Sequence, residues 1–276
     1  MTSSVGQICL DAMNIALSPS RVADYRQCPL LYRFRALDRL PEEPTRAQVK
    51  GILVHACLEQ MYGWLREERT YPAVVKLLKP TWAKLQLKNP EYVELVPEED
   101  LLDFLVECRE LLKNYFYMEN PQGFDAYANE KFIETVLPNG VPVKGFIDRV
   151  DIAPTGEVRV VDYKTGKKPK PQYSQSAEFQ MRFYALVWWR LYGVIPNQTR
   201  LMYLPAQDSL YSQPYREDLE ACERELGELW QQIQADIAAQ RFTTKKGVLC
   251  GWCSHQALCP EFGGTPPAFP ENIALT

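Results

Sequence analysis

No apolar run in this chain of 276 residues approaches the roughly 20 residues that a helix needs to cross a bilayer, so a membrane-spanning role is not expected. Met1 to Asp11 has no basic region ahead of its few apolar residues, so we expect no secretory leader and read the protein as cytoplasmic. There is no Gly-rich loop ending in Lys-Ser/Thr, which argues against an NTP-driven motor, and no internal repeat. A large excess of one charge sign is also lacking. With a net charge of -4 and a pI near 5.5 the chain is not a general polyanion sponge, although a local basic groove stays open. Basic residues do gather in three places: Arg21, Arg26, Arg33, Arg35 and Arg39; Lys164, Lys167, Lys168 and Lys170; and Lys245 with Lys246.

What is present is enough apolar residue, 46% of the chain, to bury a full core as one large domain or two small ones. The densest chemistry lies in Gly145 to Gly166, G-F-I-D-R-V-D-I-A-P-T-G-E-V-R-V-V-D-Y-K-T-G. Pro154-Thr155-Gly156 supplies turn residues between two strand-like runs, so Val143 to Asp151 and Glu157 to Lys164 read as an antiparallel hairpin. Strand side chains alternate faces, which puts Asp162 and Lys164 on one side. A turn centred near Thr155 sets Asp148 opposite Asp162. Two carboxylates that close repel unless one is protonated or a cation lies between them. A metal site is the economical reading.

Around this hairpin the periodicities predict a helix opening at Ser18-Pro19, with Val22 and Tyr25 inward, and a second helical run over Leu30 to Leu37 with Arg33 and Arg35 outward. A strong helix is expected over Gln48 to Arg66 on the stripe Val54, Leu58, Met61 and Leu65, with His55 and Glu59 sharing a face. Interrupted helix follows over Tyr71 to Tyr117, a strand bearing Glu130 over Tyr127 to Leu137, and a helix over Ser174 to Tyr192 that brings Gln180 and Tyr184 together. Thr199 to Leu204 reads as a strand, Asp218 to Ala239 as a last amphipathic helix, and the tail as irregular. Strand, helix and strand in that order suit a mixed sheet.

Eight cysteines in a reducing compartment point to metal or cluster ligation before disulfides. Three are grouped, Cys250, Cys253 and Cys259, so a tetrahedral site needs a fourth ligand from elsewhere in the chain. Cys9, Cys28, Cys57, Cys108 and Cys222 lie apart from them.

Gly51-Ile-Leu-Val-His55-Ala-Cys-Leu-Glu59, Gly145-Phe-Ile-Asp148-Arg-Val-Asp151, Val161-Asp162-Tyr163-Lys164-Thr165-Gly166 and Gln180-Met-Arg-Phe-Tyr184, in that order, resemble the RecB-type branch of the PD-(D/E)XK nucleases. The likeness runs over roughly residues 18 to 260. It implies an α/β fold, a mixed central sheet flanked by helices, in a single nuclease domain over 1–276. A helical insertion would span about 67–122, the nuclease core about 123–205, and a C-terminal helix with the cysteine segment about 215–262. It also implies a metal-dependent DNA nuclease, an exonuclease preferring single strands, in DNA repair or recombination. The alternative is a non-catalytic DNA-binding subunit of a repair complex; such a subunit is expected to lose a ligand or the lysine, and all are present here. Unwinding would have to come from a helicase or repair-complex partner.

Residue by residue, the resemblance implies that Asp148 and Asp162, with the backbone carbonyl of Tyr163, ligate Mg2+ or Mn2+, and that His55 ligates a metal too. Lys164 orients the attacking water and offsets transition-state charge. Gln180 and Tyr184 steady the lysine or the DNA, and Glu130 is auxiliary. Members of the branch hold an iron–sulfur cluster on one N-terminal and three C-terminal cysteines, a pattern that Cys28, Cys250, Cys253 and Cys259 fit. Zinc on the same sulfurs, with His255 replacing one, is the alternative.

Overall fold

The structure, a computed structural model, describes residues 15–170, 174–271 and 273. The expectations for Met1 to Asp11 and for Cys9 lie outside these residues. In chain order the helices are α1 (Pro19–Gln27), α2 (Pro29–Tyr32), α3 (Arg46–Tyr62), α4 (Tyr71–Val75), α5 (Leu78–Lys88), α6 (Tyr92–Leu95) and α7 (Leu101–Met118). Strands β1 (Ala128–Val136), β2 (Pro142–Ile152) and β3 (Val158–Lys164) follow, then α8 (Gln175–Tyr192), β4 (Gln198–Tyr203), β5 (Asp208–Ser212) and α9 (Arg216–Ala238). Among the described residues no helix is long and apolar enough to cross a membrane.

Local chemistry sets the boundaries. The Ser18 hydroxyl accepts from the Arg21 amide at 3.3 Å with Pro19 in the first turn, which answers one of the amides a helix leaves unpaired. Thr45 and Gln48 cap α3 reciprocally, the Thr45 amide donating to Gln48 Oε1 at 2.7 Å. At the hairpin turn Gly156 adopts a φ of 99°, a left-handed conformation that a side chain resists.

The five strands form one sheet in the order β1-β2-β3-β4-β5. β3 and β4 run parallel and every other pair antiparallel. The α8 crossover between β3 and β4 is what allows that parallel pair. Each face is covered. One core combines Val143, Ile147, Val158 and Val160 of the sheet with α1, α8 and α9; the other sets Val161, Tyr163 and Met202 against α3, α5 and α7. The expected mixed sheet flanked by helices is present, and the helices after α3 do cover one of its faces.

Three expectations change. α3 stops at Tyr62, so Leu65 leaves the apolar stripe and stands 65% exposed. Arg33 is buried rather than outward: Arg33–Leu37 winds as a π-helix, closed by the Asp38 amide on the Arg33 carbonyl. That wider turn rotates Arg33 into an ion pair with Asp38 at 3.0 Å and onto the Pro267 carbonyl, while Arg35 stays outward as expected, paired with Asp24 and Glu42. β5 was not foreseen. It is a short, largely exposed edge strand, and such strands carry little apolar alternation.

Candidate active site

The β2–β3 ladder pairs Arg149 with Val161 and continues to Ile152 with Val158. The same register would next pair Asp148 with Asp162. Instead the strands part, and the Tyr163 amide donates to Asp148 Oδ2 at 2.6 Å, so a side chain takes the place of a ladder carbonyl. On the other edge of β2 the ladder pairs Asn129 with Arg149 and Lys131 with Ile147 but skips the rung between them, Glu130 with Asp148. Glu130 sits there with a φ of 43°, a strained setting for a residue with a side chain. Three carboxylates from adjacent strands therefore meet at one level where both ladders open.

Helices complete the group. From α3, His55 Nε2 donates to the Tyr163 carbonyl at 2.9 Å, and Nδ1 faces Asp148 Oδ1 at 3.5 Å and Glu130 Oε1 at 3.9 Å. From α8, Gln180 accepts from Lys164 Nζ at 2.7 Å and donates to Asp162 Oδ1 at 2.7 Å. Lys164 Nζ also lies 2.8 Å from Asp162 Oδ2. Tyr184, one turn after Gln180, packs its ring so close to β2 that a Cβ at Gly145 would meet Tyr184 Cε1 at 3.0 Å. Gly145 thus lets the helix approach the sheet.

The electrostatics follow from this crowding. Burial pushes the Glu130 carboxyl up, the Asp148 charge adds to it, and the result is about 7. Burial and then Asp148 also raise Asp162, against the pull of Lys164. For His55 burial alone would lower the value, but the hydrogen bond to Asp148 and the charges of Asp148, Asp162 and Glu130 outweigh it and hold the imidazolium to about 9. The site carries more negative charge than its own cations answer.

Ligand atoms of His55, Glu130 and Asp148 all lie within 4.8 Å of one another, the one such group among the described residues. Octahedral Mg2+ ligands stand about 3–4 Å apart at their usual bond lengths, so only small shifts separate this group from a shell. Glu130, read from the sequence as auxiliary, is in this tightest set, while Asp162 turns its carboxylate to Lys164 and Gln180. The positive φ that swings Glu130 inward leaves no signature in a strand pattern. Two clefts flank the acids: one of about 700 Å³ holds Lys144, Asp148, Asp162, Lys164 and Tyr184, the other, of about 1010 Å³, holds His55, Glu59 and Glu130.

Sequence reading missed what supports the site from beneath. Arg149 is fully buried; it pairs with Glu119 at 2.6 Å and Asp151 at 2.9 Å and donates to the hydroxyls of Tyr62 and Tyr163. Because Tyr163 lies between Asp162 and Lys164, this network anchors the strand that carries them. Arg149→Leu is expected to lower stability by about 3–5 kcal/mol, since it leaves buried carboxylates without their partner. Urea denaturation reads this out, and a loss under about 1 kcal/mol would show the network to be dispensable.

Cys28, Cys250, Cys253 and Cys259 line a separate cavity, of about 280 Å³, although 222 positions separate Cys28 from Cys250. All four are free thiols, and Cys250 Sγ accepts from the Gly247 amide at 3.3 Å. Four thiolates on one tetrahedral zinc stand about 3.8 Å apart, whereas no three of these sulfurs lie within 4.8 Å of one another. His255, the proposed substitute ligand, is buried, 2.7 Å from Glu42 Oε1 and edge-on to Phe34.

A sequence profile describing the PD-(D/E)XK nuclease superfamily matches residues 16–260. Among curated proteins, the gene 69 protein of Mycobacterium phage D29 is 24% identical over 269 residues, spanning 89% of this chain and 96% of its own. The gene 69 protein of Mycobacterium phage L5 is 32% identical over 127 residues, 45% of this chain and 41% of its own. Among solved structures, that of a candidate exonuclease from Eubacterium rectale superposes with a TM-score of 0.59 at 13% identity, covering 92% of this chain and 93% of that one. At that identity the match speaks for the fold.

Proposed function

Because the chain belongs to the PD-(D/E)XK nuclease superfamily, we propose that it is a Mg2+- or Mn2+-dependent deoxyribonuclease, an exonuclease that prefers single strands and works in DNA repair or recombination. The observation that carries the reading is the convergence of His55, Glu130 and Asp148 beside a lysine that is hydrogen-bonded to Gln180 and paired with Asp162. PD-(D/E)XK nucleases use divalent metals, and the donors here, an imidazole, carboxylates and the Tyr163 carbonyl, suit such ions. His55, Asp148, Asp162 and Tyr163, with Glu130, would hold the cation, which when bound offsets phosphate charge and makes water more acidic.

The chain's own groups do the rest. Lys164, oriented by Gln180, directs the attacking water at the phosphorus and offsets charge gathering on the phosphate oxygens. Water adds as the P–O bond to the leaving nucleotide breaks, giving one phosphate end and one hydroxyl end. Tyr184 walls the cleft on the α8 side. We take residues 1–276 as one nuclease domain, with 67–122 as its helical insertion, 123–205 as its core and 215–262 as the helix and cysteine segment.

The four-cysteine cavity supports placing the chain in the RecB-type branch that carries a 4Fe-4S cluster. Its role would be to clamp the two ends of the chain. Free thiols suit a cytoplasmic setting, where they stay reduced.

Degradation of 5′- and 3′-labelled single- and double-stranded DNA beside a circular control, with Mg2+ and Mn2+ in parallel, tests the function. Linear single strands should shorten from an end while circles survive. Nicked circles would make it an endonuclease; intact DNA throughout, with DNA bound, would favour the non-catalytic subunit in a helicase or repair complex.

A further inference from the structure

Phe132 and Phe146 face each other across β1 and β2 with ring centroids 5.0 Å apart and planes at 47°. Both rings are half bare, at 48% and 54% exposure. They lie two residues along the strands from Glu130 and Asp148, about 7 Å from the two acids. Both rings line the same cleft as Lys144, Asp148, Asp162 and Lys164. A cross-strand aromatic pair steadies a hairpin by itself, but that role gives no reason for two bare rings at the mouth of an acidic site. The cleft offers flat apolar surface, a lysine and the proposed cleavage point in one line.

We infer that Phe132 and Phe146 form a stacking platform for the bases of single-stranded DNA, with Lys144 contacting the backbone, next to the phosphate to be cut. The inference rests on the nuclease reading of this site and assigns its strand preference to two residues. Stacking needs a free base face; in a duplex the neighbouring pairs occupy it, whereas an unpaired strand offers one at every nucleotide. Because every base has such a face, the platform is indifferent to sequence.

Fluorescence anisotropy, with Ca2+ replacing Mg2+ so that DNA stays intact, compares a labelled thymidine oligonucleotide with an abasic strand of equal length. The wild type should bind the base-bearing strand about tenfold or more tightly than the abasic one. In the Phe132→Ala/Phe146→Ala protein that advantage should vanish while abasic binding persists, which also shows that the fold is intact; Phe146→Trp should keep the advantage. No preference in the wild type, or an undiminished preference in the double variant, would overturn the platform. A wild type that shows the preference yet cleaves nothing with Mg2+ or Mn2+ would defeat the nuclease reading and leave the platform standing.

Discussion

Lys164→Ala and Asp148→Asn proteins are expected to cleave DNA about a thousandfold more slowly than the wild type, or not at all. Lys164 is paired with Asp162 and hydrogen-bonded to Gln180, so on the proposed mechanism its loss would remove the water's guide as well as charge compensation. Asp148→Asn is the sharper probe. The amide oxygen can still accept from the Tyr163 backbone, so strand geometry survives while the charge goes. An independent readout is available because the chain has only two histidines. The His55 value, held to about 9 largely by its hydrogen bond to Asp148 and the nearby carboxylates, should fall in Asp148→Asn when followed by NMR. If His55 is a ligand, a metal has to displace its proton in the wild type, so Mn2+ affinity should climb as pH rises toward 9. Wild-type rates in clean Asp148→Asn, or a His55 value that does not move, would end the metal-site reading.

Cys28→Ala and Cys259→Ala proteins, purified without oxygen, are expected to be colourless where the wild type is brown, and to melt about 10 °C or more lower. A cluster would cross-link Cys28 to Cys250, 222 positions apart, a closure that contributes about 5 kcal/mol in chain-entropy terms; for a domain of this size each kcal/mol moves the melting point by about 2–4 °C. The packing adds a reason. α2 begins at Pro29 just after Cys28, and the Leu30 amide donates to the Thr243 carbonyl, so a cluster on these cysteines would fasten the N-terminal helices to the segment after α9. A colourless wild type containing zinc would replace the cluster with zinc, and equal melting of variant and wild type would remove the structural role.

What the sequence determined by itself is local. Pro154-Thr155-Gly156 and strand alternation set the hairpin, whose observed pairing of Arg149 with Val161 is the one the sequence register requires, although the strands part before Asp148 and Asp162 would pair. Helical spacing put Gln180 and Tyr184 on one side of α8, where Gln180 does meet Lys164. Turn geometry and helical period act over a few residues, so they can be read from order alone. Tertiary structure decided the rest. The left-handed backbone at Glu130 brings a third carboxylate to His55; the π-helical turn buries Arg33; the Arg149 network draws on Tyr62 of α3, Tyr163 of β3 and Glu119 just after α7. Each depends on which distant groups share a desolvated space, where an unpaired charge costs several kcal/mol and so dictates its neighbours. That cost is set by packing in three dimensions, and no period in the chain records it.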